Sequence, residues 1–292
     1  MLRLEGVTKE FKTGTFGGKR IAAVSDISFE IRPGEIVSLI GESGSGKTTI
    51  GKLVLRLADV TEGSITFGDQ DVTRLDGHAL RGYHASVQGV FQDPFSSYNP
   101  VFKADRVLDL IRRPYLPGLS ADQWDERRRV SLESVGLDPA TCLGKYPHQL
   151  SGGQLQRLLI ARALMLDLKL LVADEIISML DASTRIDVLN ILGDLASRGL
   201  GVLFITHDLS LGHYISDRTV ILRRGRVVEL GATRTVFSDP RHAYTRMLLD
   251  SVPQLNAKWT TGRSLAESEP ADEACGPLVE VSQGHFVASE AS

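Results

Sequence analysis

Glu35-Ile-Val-Ser-Leu-Ile-Gly-Glu-Ser-Gly-Ser-Gly-Lys-Thr-Thr49 decides how the chain folds. Ile36 to Ile40 is an apolar run broken only by Ser38, the pattern of a strand buried in a parallel sheet. Gly41-x-x-x-x-Gly46-Lys47-Thr48 follows, the spacing of a P-loop. Gly41, Gly44 and Gly46 open backbone conformations barred to other residues. The loop can therefore wrap a phosphate with its N–H groups turned inward, and a helix starting near Gly46 adds its positive end. Lys47 offers a point charge to β- and γ-phosphates, and the Thr48 hydroxyl suits Mg²⁺, a hard ion that takes oxygen ligands. Ile50, Leu53, Val54 and Leu57 continue with helical spacing.

Outward from this stretch, the whole chain sets limits. Its 292 residues carry a net charge of −3, with 42% hydrophobic and 24% charged residues, an ordinary globular balance. Neither the charge nor the scattered basic residues favour a nucleic-acid partner. Cys142 and Cys275 form no CxxC pair, which fits a reducing compartment and excludes a zinc or disulfide framework. The N-terminus, with Arg3, Glu5 and Lys9 among few apolar residues, does not read as a signal peptide. With no apolar stretch of membrane length, a membrane role must come through a partner.

On the N-terminal side, Leu2 to Val7 and Ile27 to Ile31 read as strands around a Gly-rich loop at 12–20. Phe11, just before that loop, offers a face for a nucleotide base, or else is a core Phe at a strand end; Phe16 is the weaker competitor. On the C-terminal side, Gly63 to Gly68 reads as a strand, and 69–86 as polar and irregular with room for one short helix. Val87 to Phe91 is a second buried strand, stopped by Gln92-Asp93-Pro94. A Gln at a strand's carboxyl end can reach a metal or a water, though alone the ordinary reading of Gln92 is a solvated side chain.

Residues 95–165 change character. Val107, Leu108, Leu110 and Ile111, then Trp124, Val130, Leu132 and Val135, have helical spacing, punctuated by Pro114, Pro117, Pro139 and Pro147. This is the reading of a helical insertion. Leu150-Ser-Gly-Gly-Gln154 then opens a helix with Ser151 as N-cap, and Gly152 and Gly153 allow close approach of an anion. Leu170 to Ala173 is a buried strand that ends in Asp174 and Glu175 at the edge where α/β ligands bind. That places Asp174 for the Mg²⁺ shell and Glu175 for polarising water. Ser178 to Asp181 and a helix over 183–196 follow. Gly201 to Thr206 is another buried strand, ending at His207-Asp208. A lone His there is usually structural, but it can also sense a γ-phosphate. Val220 to Leu222 and Arg226 to Glu229 read as a terminal hairpin through Arg224-Gly225. Residues 256–276 are polar and acidic and read as a mobile linker.

Gly41–Thr48, Gln92, Leu150–Gln154, Leu170–Glu175, Ser178–Asp181 and His207 occur in an order that resembles the ATP-binding cassette (ABC) ATPases over roughly residues 1–250. The Leu-Ser-Gly-Gly-Gln signature is the specific part. The resemblance implies an α/β fold: a P-loop NTPase, RecA-like core with an inserted α-helical subdomain at about 95–165 and an N-terminal antiparallel β-subdomain. It implies ATP and Mg²⁺ as ligands. Gly41, Glu42, Ser43, Gly44, Ser45, Gly46, Lys47, Thr48 and Thr49 would bind the nucleotide, with Phe11 stacking on its base. Thr48, Gln92 and Asp174 would hold the metal; Glu175 as general base, His207 as switch histidine and Gln92 as the loop glutamine linking nucleotide to permease would form the catalytic set. Ser151, Gly152, Gly153, Gln154 and Asp181 would serve the neighbouring subunit's nucleotide. Where the family has Pro after the catalytic Glu, this chain has Ile176, which frees φ there and restores an N–H, and so bears on how Glu175 is positioned.

Glu42-Ser43-Gly44, the stretch Asp239 to Leu249, and the tail at 277–285 resemble the dipeptide/oligopeptide/nickel importer branch. This adds a C-terminal tail at 251–292, with one cysteine where an iron–sulfur cluster wants about four. The implied partners are a second ATPase subunit (a paralogue or a second copy), two permeases and an extracellular binding protein. The implied location is the cytoplasmic face of the membrane. The cargo would be a peptide, nickel or a short sugar. The implied groove for a permease helix runs by Gln92, Phe95, Tyr98 and Asn99. The rival readings are a soluble ABC protein of DNA repair or translation, and a cassette that only binds ATP.

Overall fold

The computed structural model describes residues 1–12, 19–251 and 275–290. The chain opens with β1 (Leu2–Lys12) and β2 (Arg20–Ile31). β3 (Ile36–Ile40), buried at every position, runs through the 41–46 loop into α1 (Lys47–Val54). Next come β4 (Glu62–Phe67), the short β5 (Gln70–Asp71), α2 (Gly77–Ser86) and β6 (Val87–Val90). Four helices follow: α3 (Arg106–Tyr115), α4 (Ala121–Ser134), α5 (Pro139–Cys142) and α6 (Gly152–Leu164). Alternation then resumes with β7 (Leu170–Asp174), α7 (Ala182–Ser197), β8 (Gly201–Thr206) and α8 (Leu209–Ile215). β9 (Arg218–Arg223), β10 (Arg226–Ala232), α9 (Thr233–Ser238) and α10 (Ala243–Asp250) precede β11 (Cys275–Ser282) and β12 (His285–Glu290).

The described chain divides into two compact units. One holds 31–35 and 69–203; the other holds 2–30, 36–68 and the described residues from 204 onward. In the first, β6 and β7 pair in parallel, Val87 opposite Leu170 through Val90 opposite Ala173. α3, α4 and α7 pack on α6, whose Leu155, Leu158, Leu159 and Ile160 are buried. Helix starts here are made locally. Ser120 and Gln123 form a capping box for α4, and Asp138 caps α5 with Pro139 in its first turn.

In the second unit, β1 pairs antiparallel with β4, and β3 pairs in parallel with β9. From β3 the sheet continues outward through β9, β10, β12 and β11, the last three joins antiparallel. Ile40, Leu209, Ile221, Val228, Val236 and Tyr244 form one buried cluster.

Several sequence expectations need correction. Leu57 does not continue the apolar face of α1. Arg56 takes φ 54°, the chain turns off after Val54, and Leu57 is exposed. Leu110 and Val130 are likewise exposed, because only one stripe of α3 and of α4 faces the core. The stretch 69–86 is more ordered than its polarity suggests, ending in the ten-residue α2. β9 and β10 are not the terminal hairpin, since β11 and β12 follow and β12 pairs with β10. The expected linker at 256–276 ends early because β11 begins at Cys275; the rest of it, like Phe16, lies outside the described residues.

Candidate functional site

The phosphate-binding candidate lies in the second unit and begins with a tether. The Ile36 N–H donates to the Asp217 carboxylate at 2.9 Å, seating β3 against the start of β9. A Cβ on Gly41 would lie 2.1 Å from the Leu222 carbonyl, and one on Gly46, at φ 104°, would lie 2.7 Å from the Ala23 carbonyl. Both glycines are therefore demanded by backbone packed against the loop. Gly225 N–H donates to the Ser45 carbonyl at 2.9 Å, tying the β9–β10 turn to the same loop. Gly46 caps α1 with backbone alone. Lys47 is buried, and its Nζ donates to the carbonyls of Gly41 and Glu42 at 2.7 Å each. The Ser45 hydroxyl is buried without a hydrogen-bond partner, while Glu42, Ser43, Gly44 and Thr48 face outward and Thr49 is half-buried.

An open cavity of about 220 Å³ adjoins Glu42, Ser43, Gly44, Arg223, Arg224 and Tyr244. The loop thus combines backbone donors, a helix N-terminus and a buried ammonium, an arrangement that favours polyanions. Phe11, at the end of β1, is 46% exposed, which rules out the core alternative; Lys9 Nζ lies 5.2 Å from its ring centre. His207 follows β8 and is exposed, and Asp208 beside it caps α8 through the N–H groups of Ser210 and Leu211.

The other candidates lie in the first unit. Asp174 ends β7 and is buried. Glu175 is half-buried and takes φ 50°, a left-handed conformation unusual for a residue with a side chain. Its carbonyl accepts from the Ser178 N–H at 3.1 Å and the Ser178 hydroxyl at 2.9 Å. Arg185 braces the same turn, donating to the carbonyls of Leu180 and Ser178. Ile176 and Ile177 are buried, so apolar anchoring holds the turn where the family's Pro would stiffen it. Strain held at one polar residue by its surroundings is a mark of a functional position. In the sequence Ser178 stands out only as part of the Ser178–Asp181 motif, and Arg185 does not stand out at all. An Arg five residues beyond the turn carries no signal until α7 folds back over it.

Ser151 and Gln154 form a complete capping box at the start of α6. Gly152 is half-buried and Gly153 buried. Gln92 is exposed just beyond β6. Behind it, buried Gln156 donates to the Phe91 carbonyl and Arg162 to the Gly89 carbonyl, both at 3.3 Å. Tyr98 cannot line an open groove: it is buried, and its hydroxyl donates to the Leu155 carbonyl at 2.8 Å. Phe95 and Asn99 are exposed. Asp181 caps α7, accepting from Thr184 N–H and the hydroxyls of Ser183 and Thr184; the Ser183 bond foremost draws its pKa down to about 2. No helix of the described residues is long and apolar enough to cross a membrane.

The sequence-predicted residues are thus shared out. Phe11, the loop of 41–49 and His207 belong to one unit; Gln92, Ser151–Gln154, Asp174, Glu175 and Asp181 belong to the other.

Comparison with known proteins identifies the family. Residues 24–178 match the family model described as ABC transporter, and 228–277 match the one described as the C-terminal region of oligopeptide/dipeptide transporters. The oligopeptide transport ATP-binding protein OppF of Streptococcus mutans is 38% identical over 98% of this chain and 94% of its own. The dipeptide transport ATP-binding protein DppF of Lactococcus lactis is 39% identical over 99% of this chain and 94% of its own. Among solved structures, the ATP-binding cassette MJ0796, dimeric in a post-hydrolysis state with ADP and Pi, superposes with a TM-score of 0.71. It is 30% identical and covers 80% of this chain and 99% of its own.

Proposed function

The chain belongs to the ABC transporter family, in its oligopeptide/dipeptide branch, and on that premise we propose that it binds MgATP head to tail with a second ATPase subunit and powers uptake of a peptide-class solute. As an ABC ATPase it hydrolyses ATP to drive transport. The fold is the ABC cassette: mixed α/β, with an N-terminal antiparallel β-subdomain and a parallel core sheet with helices. In this reading the cassette spans 1–250 with its helical subdomain at about 95–165, and 251–292 forms the branch-specific tail.

The loop of 41–49 wraps the phosphates, and Lys47 exchanges its two carbonyl contacts for β- and γ-phosphate oxygens. Phe11 stacks on the base. Thr48, Gln92 and Asp174 are hard oxygen donors that fit Mg²⁺, whose charge offsets that of the phosphate oxygens. Glu175 takes a proton from the attacking water, and His207 contacts the γ-phosphate. Ser151, Gly152, Gly153, Gln154 and Asp181 face the partner's nucleotide. That partner is a second copy or a paralogue, and dimerisation in the relative MJ0796 supports the arrangement. Two permeases and an external binding protein complete the assembly at the cytoplasmic face of the membrane.

The observation that carries the catalytic part is Glu175: a carboxylate at a strand's carboxyl end, held left-handed by Ser178 and backed by Arg185. Glu175→Gln keeps shape and hydrogen bonding but cannot take a proton. It is expected to bind MgATP normally and to lose turnover by about 10²–10⁴-fold. Near-normal hydrolysis by this variant would sink the assignment.

A further inference from the structure

The C-terminal hairpin is bonded into the unit that holds the phosphate-binding loop. β12 lies antiparallel on β10, with Glu229 opposite Val287 and Leu230 opposite Phe286. At its start, His285 Nε2 lies 2.7 Å from Glu229 Oε1, with side-chain exposures of 2% and 0%. So short a contact needs a proton between nitrogen and oxygen, and so deep a carboxylate needs partners on both oxygens. Glu229 has them: Arg241 N–H donates to Oε1 at 2.8 Å and His242 N–H to Oε2 at 3.0 Å. Gly231, whose added Cβ would stand 3.2 Å from the His285 ring, leaves room for the imidazole.

The carboxylate therefore organises the backbone where α10 begins. His242 is the N-cap of that helix, its Nδ1 accepting from Tyr244 N–H at 3.1 Å. Two residues into the turn, Tyr244 is buried among Ile40, Ile221 and Val228, with the Arg223 guanidinium 5.1 Å from its ring centre. Its hydroxyl accepts from the Glu42 N–H at 3.3 Å. Glu42 is thus held at both backbone polar atoms, by Tyr244 at the N–H and by Lys47 Nζ at the carbonyl. Burial, the largest cause, pushes the Tyr244 phenol up to about 12, so the hydroxyl stays neutral at physiological pH.

We propose that His285, Glu229 and Tyr244 are positioning residues for nucleotide binding. The hairpin's His285 orients Glu229, Glu229 sets the first turn of α10, and Tyr244 holds the outer edge of the phosphate-binding loop at Glu42. The inference rests on the reading of 41–49 as the nucleotide loop. It assigns the hairpin of 275–290 an effect on ATP affinity without contact with ATP.

The test measures MgATP binding and steady-state hydrolysis in the full chain. Tyr244→Phe removes one hydroxyl and keeps the ring. It is expected to raise the Kd and KM for MgATP by about three- to tenfold, the worth of one hydrogen bond, with kcat within about twofold. His285→Ala is expected to weaken binding similarly. His285→Gln, whose side-chain amide can still donate to Glu229, should recover most of it and remains informative if the alanine variant folds poorly. The His285→Ala/Tyr244→Phe double variant should be no weaker than the worse single variant, because both lie on one route. Unchanged MgATP affinity in Tyr244→Phe, or additive losses in the double variant, overturns the proposal. Lys47→Ala serves as the control. If it also leaves MgATP binding intact, the nucleotide-loop reading itself has failed; if it abolishes binding while Tyr244→Phe does nothing, only the positioning inference has.

Discussion

Lys47 shows how a single residue's chemistry is set by its surroundings. Its ammonium is buried yet sits on two carbonyls of the loop that precedes it, so the charge is solvated by backbone dipoles rather than by water. Phosphate oxygens offer stronger partners at the same atom, because both members then carry charge. Lys47→Ala removes this ammonium together with its two bonds to loop carbonyls, while the glycines demanded by the packed backbone stay in place. The expected outcome is a loss of MgATP affinity of at least about tenfold, the scale of one hydrogen bond to a charged group, read by direct titration; unchanged affinity would count against the loop. Glu175 is the opposite case. Its identity as a carboxylate was legible in the sequence, but its left-handed backbone was not. That conformation comes from Ser178 and Arg185 closing the turn over it and from buried Ile176 and Ile177 beneath.

Among the elements, α6 and α7 explain one of the signature glycines without reference to any ligand. A Cβ on Gly153 would lie 2.3 Å from Thr184 Cγ2. Thr184 cannot swing away, since its N–H and hydroxyl are both bonded to Asp181, the cap of α7. Gly153→Ala is therefore expected to push the helices apart and cost ~1–3 kcal/mol, seen as a lowered unfolding midpoint. Adding Thr184→Ser removes the offending methyl, keeps the hydroxyl, and should return most of that loss; if it does not, the close packing is not the cause. The helix starts themselves were readable from local residues, as Ser151 with Gln154 demonstrates. The exposure of Leu110 and Val130 was not, because spacing alone cannot say how wide a helix's buried stripe will be.

For the molecule as a whole, Lys47 and Ser151 belong to different compact units, and each chain carries one phosphate loop and one signature. In the head-to-tail pair proposed above, each signature would complete the partner's site. Ser151→Arg is then expected to leave MgATP binding by the isolated chain intact while blocking hydrolysis in the pair. Mixed with Lys47→Ala, it should regain part of the activity that neither variant has alone, because one composite site collects both lesions and the other has none. If the natural partner is a paralogue, the same cross is made between the two chains. Loss of MgATP binding by the isolated Ser151→Arg chain would show the signature acting within its own chain, against the paired model.

What the sequence determined by itself was whatever depends on neighbours along the chain. The buried strands β3 and β7 follow from apolar runs, the first broken only by Ser38, the loop of 41–48 from its glycine spacing, and the cap of α6 from Ser151. The order of these motifs was enough to suggest the family. Tertiary structure alone decided what depends on residues far apart in the chain. Nothing near Glu42 announces Tyr244, 202 residues away, and nothing near Glu229 announces His285, 56 residues away. A buried carboxylate or phenol reveals its partner only after the sheet has closed around it, since burial is what makes an unpartnered polar atom costly.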